Sequence, residues 1–284
     1  MAFFYLIANQ KGGVGKTTTS INLAAAFAVM KCRVMLIDLD SQGNATVGSG
    51  VHKSNVQYAA HHVLEGVASL EQALIKTTSG FDLLTANQEL IVAEMSLLQK
   101  NKREQCLKNV LAPYLSGYDY ILIDCPPSLS ILTVNALVAA HSILIPIQCE
   151  YFALEGLSAL LNTIEQIQTT INPGLQIEGL LRTMYDGRNR LATDVSAQLL
   201  RHFPDKVYRT VIPRNVRLAE APSHGLPILH YDEKSQGAIA YLTLAGEILR
   251  RSDQKNSSTS SDNRVKKNRF KRKVFNIARS SEVL

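Results

Sequence analysis

Residues 9–18 read Asn-Gln-Lys-Gly-Gly-Val-Gly-Lys-Thr-Thr, and no other stretch constrains the fold of this chain as strongly. They follow an apolar run, Phe3 to Ala8, with the pattern of a buried strand. They precede Thr19 to Met30, an alanine-rich helical pattern. Strand, glycine-rich turn, Gly-Lys-Thr and helix is the order in which backbone N–H groups and a helix N-terminus wrap phosphates. Gly12, Gly13 and Gly15 allow the backbone close to an anion and permit dihedrals that a β-carbon forbids. Lys16 has the reach for the β- and γ-phosphates, and the Thr17 hydroxyl suits magnesium. The usual loop, G-x-x-x-x-G-K-[ST], carries a glycine five residues before Gly15; here that position is Gln10, and a second lysine, Lys11, stands at the front of the loop.

Alternation of apolar runs and helical patterns extends this start into a fold class. Arg33–Asp38, Tyr118–Asp124, Ser142–Pro146, Gln176–Thr183 and Tyr208–Ile212 read as further strands. They are near-continuous apolar runs, as expected of parallel strands covered on both faces. Helical patterns cover Ala86–Gln99, Lys102–Leu115, Leu129–Ala140, Ala153–Thr169, Leu191–His202 and Lys234–Arg251. The order predicts an α/β fold with a doubly wound, mostly parallel sheet and ligands outside the carboxyl ends of the strands.

Charge divides the chain. Residues 1–251 carry 21 basic and 21 acidic residues, whereas residues 252–284 carry nine and three, so the net charge of +6 belongs to the C-terminal segment. We therefore expect one domain over 1–251 and a disordered basic tail over 252–284, opening on a Ser/Asp/Asn-rich stretch. No run approaches the ~20 apolar residues needed to cross a bilayer. The first strand begins almost at once, which argues against a signal peptide. Cys32, Cys106, Cys125 and Cys149 lack C-x-x-C spacing and read as reduced cytosolic thiols.

Three segments point to nucleotide hydrolysis. Asp38 and Asp40, in DLDSQGNAT, lie two residues apart at a strand end and so face the same way. One suits the magnesium shell and the other suits orienting a water; the bland alternative is a solvated acidic turn. Ile121 to Ser128, ILIDCPPS, ends an apolar strand in Asp124, a second magnesium candidate, although such an aspartate also caps helices. In TVIPRNVRLAEAPSHGLPI, Thr210 to Ile228, Pro213 and Asn215 are candidates for contact with an adenine, against the reading of an ordinary surface loop.

NQKGGVGKTTTSINLAAAFA, LIDLDSQGNAT, YDYILIDCPPSLSILTVNAL, PIQCEYFALEGLSALL and VIPRNVRLAEAPSHGLPI together resemble the ParA/Soj type of chromosome-partitioning ATPase, within the ParA/MinD family with its deviant Walker A loop. The match runs in order over roughly residues 2–250. This resemblance implies ATP and Mg2+ as cofactors. It implies an ATP-bound homodimer in which Lys11 reaches the partner subunit's nucleotide. Lys11, Gly12, Gly13, Val14, Gly15, Lys16, Thr17 and Thr18 would form the phosphate cradle, with Thr17, Asp38 and Asp124 at the metal and Asp40 positioning the water. It also implies DNA binding without sequence preference through Arg188 and Arg217, a ParB-type partner that stimulates slow hydrolysis, and a cytoplasmic, nucleoid-associated protein with no membrane partner. The family's usual D-x-D-P-Q here has Ser41 in place of proline.

Rival readings share the loop. A MinD-like membrane-positioning ATPase would use the tail, where Phe270, Val274 and Ile277 fall at i, i+4 and i+7 among basic residues. An iron-protein-like electron carrier would need exposed cysteines near the nucleotide, and only Cys125 lies in a suitable loop. A scaffold that binds ATP without hydrolysis would leave Asp40 idle.

Overall fold

The computed structural model describes residues 3–257. The chain opens with β1 (Phe3–Ile7), α1 (Lys16–Val29), β2 (Val34–Asp38), α2 (Asn44–Gly48), α3 (Ala60–Glu65), α4 (Leu70–Ala73), β3 (Leu74–Lys76), β4 (Asp82–Leu84), α5 (Leu90–Leu98) and α6 (Cys106–Leu111). It continues with β5 (Tyr120–Asp124), α7 (Ile131–Ala139), β6 (Ser142–Gln148), α8 (Ala153–Thr170), β7 (Gln176–Tyr185), α9 (Arg190–His202), β8 (Val207–Pro213), α10 (Val216–Glu220), α11 (Ile228–Tyr231) and α12 (Gln236–Ser257). The strands form one sheet in the order β3-β4-β2-β5-β1-β6-β7-β8. Every pairing is parallel except β3 with β4.

Strand pleating divides the core into two layers. Phe4 and Leu6 of β1, with Met35 and Ile37 of β2, face the layer containing α3 and α5–α9. Tyr5 and Ile7, with Val34 and Leu36, face the layer of α1, α11 and α12. In the second layer Phe27 of α1 stacks on Tyr120 of β5, with ring centroids 4.0 Å apart. The doubly wound α/β sheet expected from the apolar runs is therefore present. After β1 the chain builds outward through β2; after β5 it crosses to β6 on the other side of β1. That reversal opens a crevice at the carboxyl ends of β1, β2 and β5.

Several boundaries differ from the sequence expectation. β3 and β4 were not foreseen: three residues each carry too little periodicity to register. The helix expected over 86–99 spans only Leu90–Leu98. The one expected over 102–115 is broken: Lys102 is left-handed (φ 54), a 3-10 turn covers Arg103–Gln105, and α6 gives way to a second 3-10 segment, Ala112–Gly117. Pro113 stands near the start of that segment, where its missing N–H ends the i→i−4 ladder. At the other end, α12 continues past Arg251. Ser252 is buried, and its hydroxyl donates to the carbonyls of Ile248 and Leu249. The compositional change at residue 252 therefore precedes the end of the helix. The basic stretch 264–279, with Phe270, Val274 and Ile277, lies outside the described residues. Among the described residues no helix is long and apolar enough to cross a membrane.

Candidate active site

Gly15 precedes α1 in the left-handed region, at φ 87°, and no side chain caps the helix. The first N–H groups of α1 thus have no side-chain acceptor and converge, with the helix dipole, on the mouth of the loop. Gly13 is also left-handed, and a β-carbon at Gly12 or Gly13 would meet no atom within 4 Å, so the loop borders open space. Its outer rim is tied to the sheet. Asn9 donates from Nδ2 to the Pro146 carbonyl at 2.7 Å and accepts the Lys11 N–H at 2.9 Å. The Thr183 hydroxyl, on β7, donates to the Val14 carbonyl at 2.8 Å. Lys16 is buried, with its ammonium 3.0 Å from the Lys11 carbonyl. Burial pushes its pKa below the ordinary lysine value, against the opposing pull of Asp124 and Asp40.

Parallel pairing of β2 with β5 sets Asp38 beside Asp124 at the two strand ends. Both are fully buried. Asp124 accepts the Thr17 hydroxyl at 2.8 Å and the Ser20 hydroxyl at 2.9 Å. Asp38 accepts the Thr46 N–H and hydroxyl, each at 2.8 Å, and the Asp40 N–H at 3.1 Å. Burial first, then the charge of Asp38, raises the pKa of Asp124. Burial also raises that of Asp38, against the Thr46 hydrogen bonds. Two adjacent buried carboxylates and a threonine hydroxyl form an all-oxygen donor set, the kind that suits magnesium, and a divalent cation there would offset their repulsion. The residues fit that ion.

Asp40 sits higher and half-exposed on a turn closed by the Gly43 N–H to the Asp40 carbonyl at 2.7 Å. Its Oδ1 accepts the Gln42 N–H at 2.9 Å, and the Lys53 ammonium holds the Gln42 carbonyl. Serine at position 41 therefore keeps the turn, which Lys53 braces in place of a proline ring. Gly43 is left-handed, and a β-carbon there would come within 2.6 Å of the Ala86 carbonyl. A cleft of about 260 Å³, bordered by Thr17, Thr18, Ile21, Asn44, Val47, Gly48 and Pro222, lies alongside.

Lys11 extends from the front of the loop to Glu150, with its ammonium 2.6 Å from Oε2. Pro213 ends β8 and is half-buried. Asn215 uses its Oδ1 to accept the Leu218 N–H at 3.2 Å and cap α10, leaving its amide hydrogens for a further acceptor. Arg188 and Arg217 follow neighbouring strands, β7 and β8, and both are exposed. Arg188 makes a two-pronged pair with Asp186 at 2.8 and 2.9 Å. Arg217 pairs with Glu220 at 3.0 Å and approaches Asp232 at 3.6 Å. Asp186 is held down at about 2, chiefly by hydrogen bonds from Arg188 and also by the charges of Arg188 and Arg214. Arg214 thus joins this edge, a residue that sequence reading passed over. Ser20, Thr46, Thr183 and Glu150 were missed as well; Ser20, Thr46 and Glu150 lay inside segments already singled out, but only the folded chain shows what they hold.

One cysteine and one histidine cluster have no place in the nucleotide chemistry. Cys125 is buried and its thiol is pushed well up by burial, the opposite of what a cluster ligand needs. His61, His62 and Glu89 converge, with His61 Nε2 2.6 Å from Glu89. The Ala59 N–H donates to Nδ1 of His62 at 3.2 Å, however, which leaves the proton of a neutral ring on Nε2 and no lone pair for a metal.

A sequence profile described as an AAA domain matches residues 4–177. The chain is 51% identical over 243 residues to the sporulation initiation inhibitor protein Soj of Bacillus subtilis (strain 168), covering 85% of this chain and 96% of that protein. It is 49% identical over 248 residues to the chromosome partitioning protein ParA of Caulobacter vibrioides (strain NA1000 / CB15N), covering 86% and 93%. Cobyrinic acid a,c-diamide synthase from Mycobacterium smegmatis, solved with a bound ATP analog and magnesium, superposes with a TM-score of 0.79 at 38% identity, covering 89% of this chain and 96% of that one.

Proposed function

Because this chain belongs to the ParA/Soj family of ATPases, we propose that it partitions DNA: its ATP-bound form is a homodimer that binds DNA without sequence preference, and hydrolysis, stimulated by a ParB-type partner, releases it. The observation that carries the reading is the convergence of the uncapped α1 N-terminus, Lys16 and Thr17 with Asp38 and Asp124. That arrangement supports ATP and magnesium as ligands of this chain.

In the proposed mechanism, the loop from Lys11 to Thr18 binds the phosphates through its N–H groups, and Lys16 places its charge on the β/γ side. Thr17, Asp38 and Asp124 would hold the metal, with Ser20 and Thr46 fixing the two carboxylates. Magnesium, when bound, supplies positive charge to offset that of the phosphate oxygens. Asp40, on its braced turn, orients the attacking water. Pro213 and the free amide hydrogens of Asn215 border the base. Lys11 crosses to the partner subunit's nucleotide.

DNA binding is assigned to Arg188 and Arg217, with Arg214 on the same edge. One neutral body offers little positive charge, while a dimer presents this edge twice, so association gates binding. Contacts of this kind go to phosphates and are blind to sequence. Arg188→Ala or Arg217→Ala is expected to weaken binding to unrelated DNA fragments by a similar factor. Each should reduce the slope of log affinity against log salt by about 2, one contact per subunit, while ATP-driven dimerisation persists. Titrations at several salt concentrations check this; unchanged slopes in both variants would remove this surface from the assignment.

Residues 252–284 hold the whole positive excess, and we assign the segment beyond the closing helix to auxiliary polyanion binding, with DNA as the ligand. The site of action is then the cytoplasm, on the nucleoid. Because α12 reaches Ser257, the cut belongs there rather than after Arg251. Truncation after Ser257 should leave ATP hydrolysis unchanged and weaken DNA binding at low salt, including binding without nucleotide. Equal DNA titrations would eliminate the arm, and selective loss of binding to anionic vesicles would support a membrane role.

A further inference from the structure

We infer that Glu150 is a latch on Lys11: in the single subunit it holds the lysine that must reach the partner's nucleotide, and it thereby sets the threshold for ATP-driven dimerisation. This rests on the cross-subunit role proposed for Lys11. The pair is close, with Lys11 Nζ 2.6 Å from Glu150 Oε2. The Lys11 backbone is fixed from both sides, its N–H on Asn9 Oδ1 and its carbonyl on the Lys16 ammonium. Asn9 is itself anchored to Pro146. The loop therefore need not rearrange for Lys11 to change partners; rotation of its side chain suffices.

Glu150 is equally well placed. It lies between β6 and α8, in a turn closed by the Ala153 N–H to its carbonyl at 3.0 Å. The neighbouring Tyr151 and Phe152 are about two-thirds exposed, so the latch faces outward, where a second copy can reach it. The side chains of Lys11 and Glu150 are 38% and 47% exposed. A pair this wet is weakly held. It holds Lys11 in the single subunit yet yields to the multiply charged phosphates of a nucleotide in the partner. Dimerisation opens two such latches at once, which squares the effect of each.

Sedimentation with magnesium and a non-hydrolysable ATP analogue tests the latch. Glu150→Gln should dimerise roughly two- to thirty-fold more tightly than wild type at low salt, from an exposed ion pair counted twice. The difference should shrink at high salt, where the pair is screened. Nucleotide affinity at concentrations that keep the protein monomeric, and the unfolding temperature, should not change. Glu150→Ala should act in the same direction and serves if glutamine disturbs the turn. In a Lys11→Ala background, adding Glu150→Gln should change nothing, because the latch acts only through Lys11. If Lys11→Ala alone stays monomeric while folded Glu150→Gln and Glu150→Ala dimerise no better than wild type, the latch is wrong and the crossing lysine stands. If Lys11→Ala dimerises like wild type, the crossing role fails and the latch falls with it.

Discussion

Lys16→Ala is expected to lower ATP affinity by at least about a hundredfold, which corresponds to the loss of one or two charge-assisted hydrogen bonds of ~1.5–3 kcal/mol each. Lys16 is buried behind the loop, and its ammonium feels the charges of Asp124 and Asp40. No other side chain of the loop can replace it: Lys11 points out to Glu150, and Thr17 is engaged by Asp124. The fold should survive, because Asp124, whose pKa burial already raises, can take up a proton once the neighbouring cation is gone. Calorimetric titration with ATP and magnesium, beside thermal unfolding, measures both effects. Undiminished ATP binding by a folded Lys16→Ala protein would overturn the phosphate-loop assignment.

Asp40→Ala should do the reverse. We expect ATP binding close to wild type and hydrolysis reduced by about 10²–10⁴, the range for losing a group that orients or activates a water. The structural reason lies in how Asp40 is held. Its backbone N–H, which alanine retains, satisfies Asp38, while its carboxylate bonds only locally, to the Gln42 N–H. Removing that carboxylate leaves Asp38, Asp124 and the glycine-rich loop in place. Asp38 could not be tested so cleanly, since its removal would strand the buried Thr46 N–H and hydroxyl. Phosphate release measures turnover, and sedimentation with ATP should find the variant trapped as a dimer. Wild-type turnover by Asp40→Ala would remove Asp40 from the chemistry.

The elements legible in the sequence share one property: their signal is local and long enough to repeat. Leu6 and Ile7 belong to opposite core layers, yet both lie in a run of apolar residues that reads as a strand covered on two faces. The helix Ala153–Thr170 is amphipathic over many turns and was foreseen to within a residue. β3 and β4 are three residues each and exist because a neighbouring strand supplies their hydrogen bonds, the β2 edge those of β4 and β4 those of β3. The helix expected over 102–115 failed for a local reason, Pro113, and a tertiary one. Asn135 on α7 accepts the Leu107 N–H and donates to the Arg103 carbonyl, pinning the broken segment.

The candidate site divides in the same way. The phosphate cradle is contiguous in sequence, and its chemistry follows from the backbone freedom of Gly13 and Gly15, the charge of Lys16 and the hydroxyl of Thr17. Sequence alone therefore determined the class of sheet and singled out the glycine-rich loop and the strand-end aspartates as candidates. Tertiary structure decided which groups meet. Register between β2 and β5 brings Asp38 and Asp124 side by side, α1 supplies Ser20 to one and α2 supplies Thr46 to the other, and the turn after β6 delivers Glu150 to Lys11. Except for Asp38 with Thr46, eight residues apart, these contacts join residues far apart along the chain. Their formation depends on strand register and helix docking, which the packing of the whole core sets and no local pattern encodes.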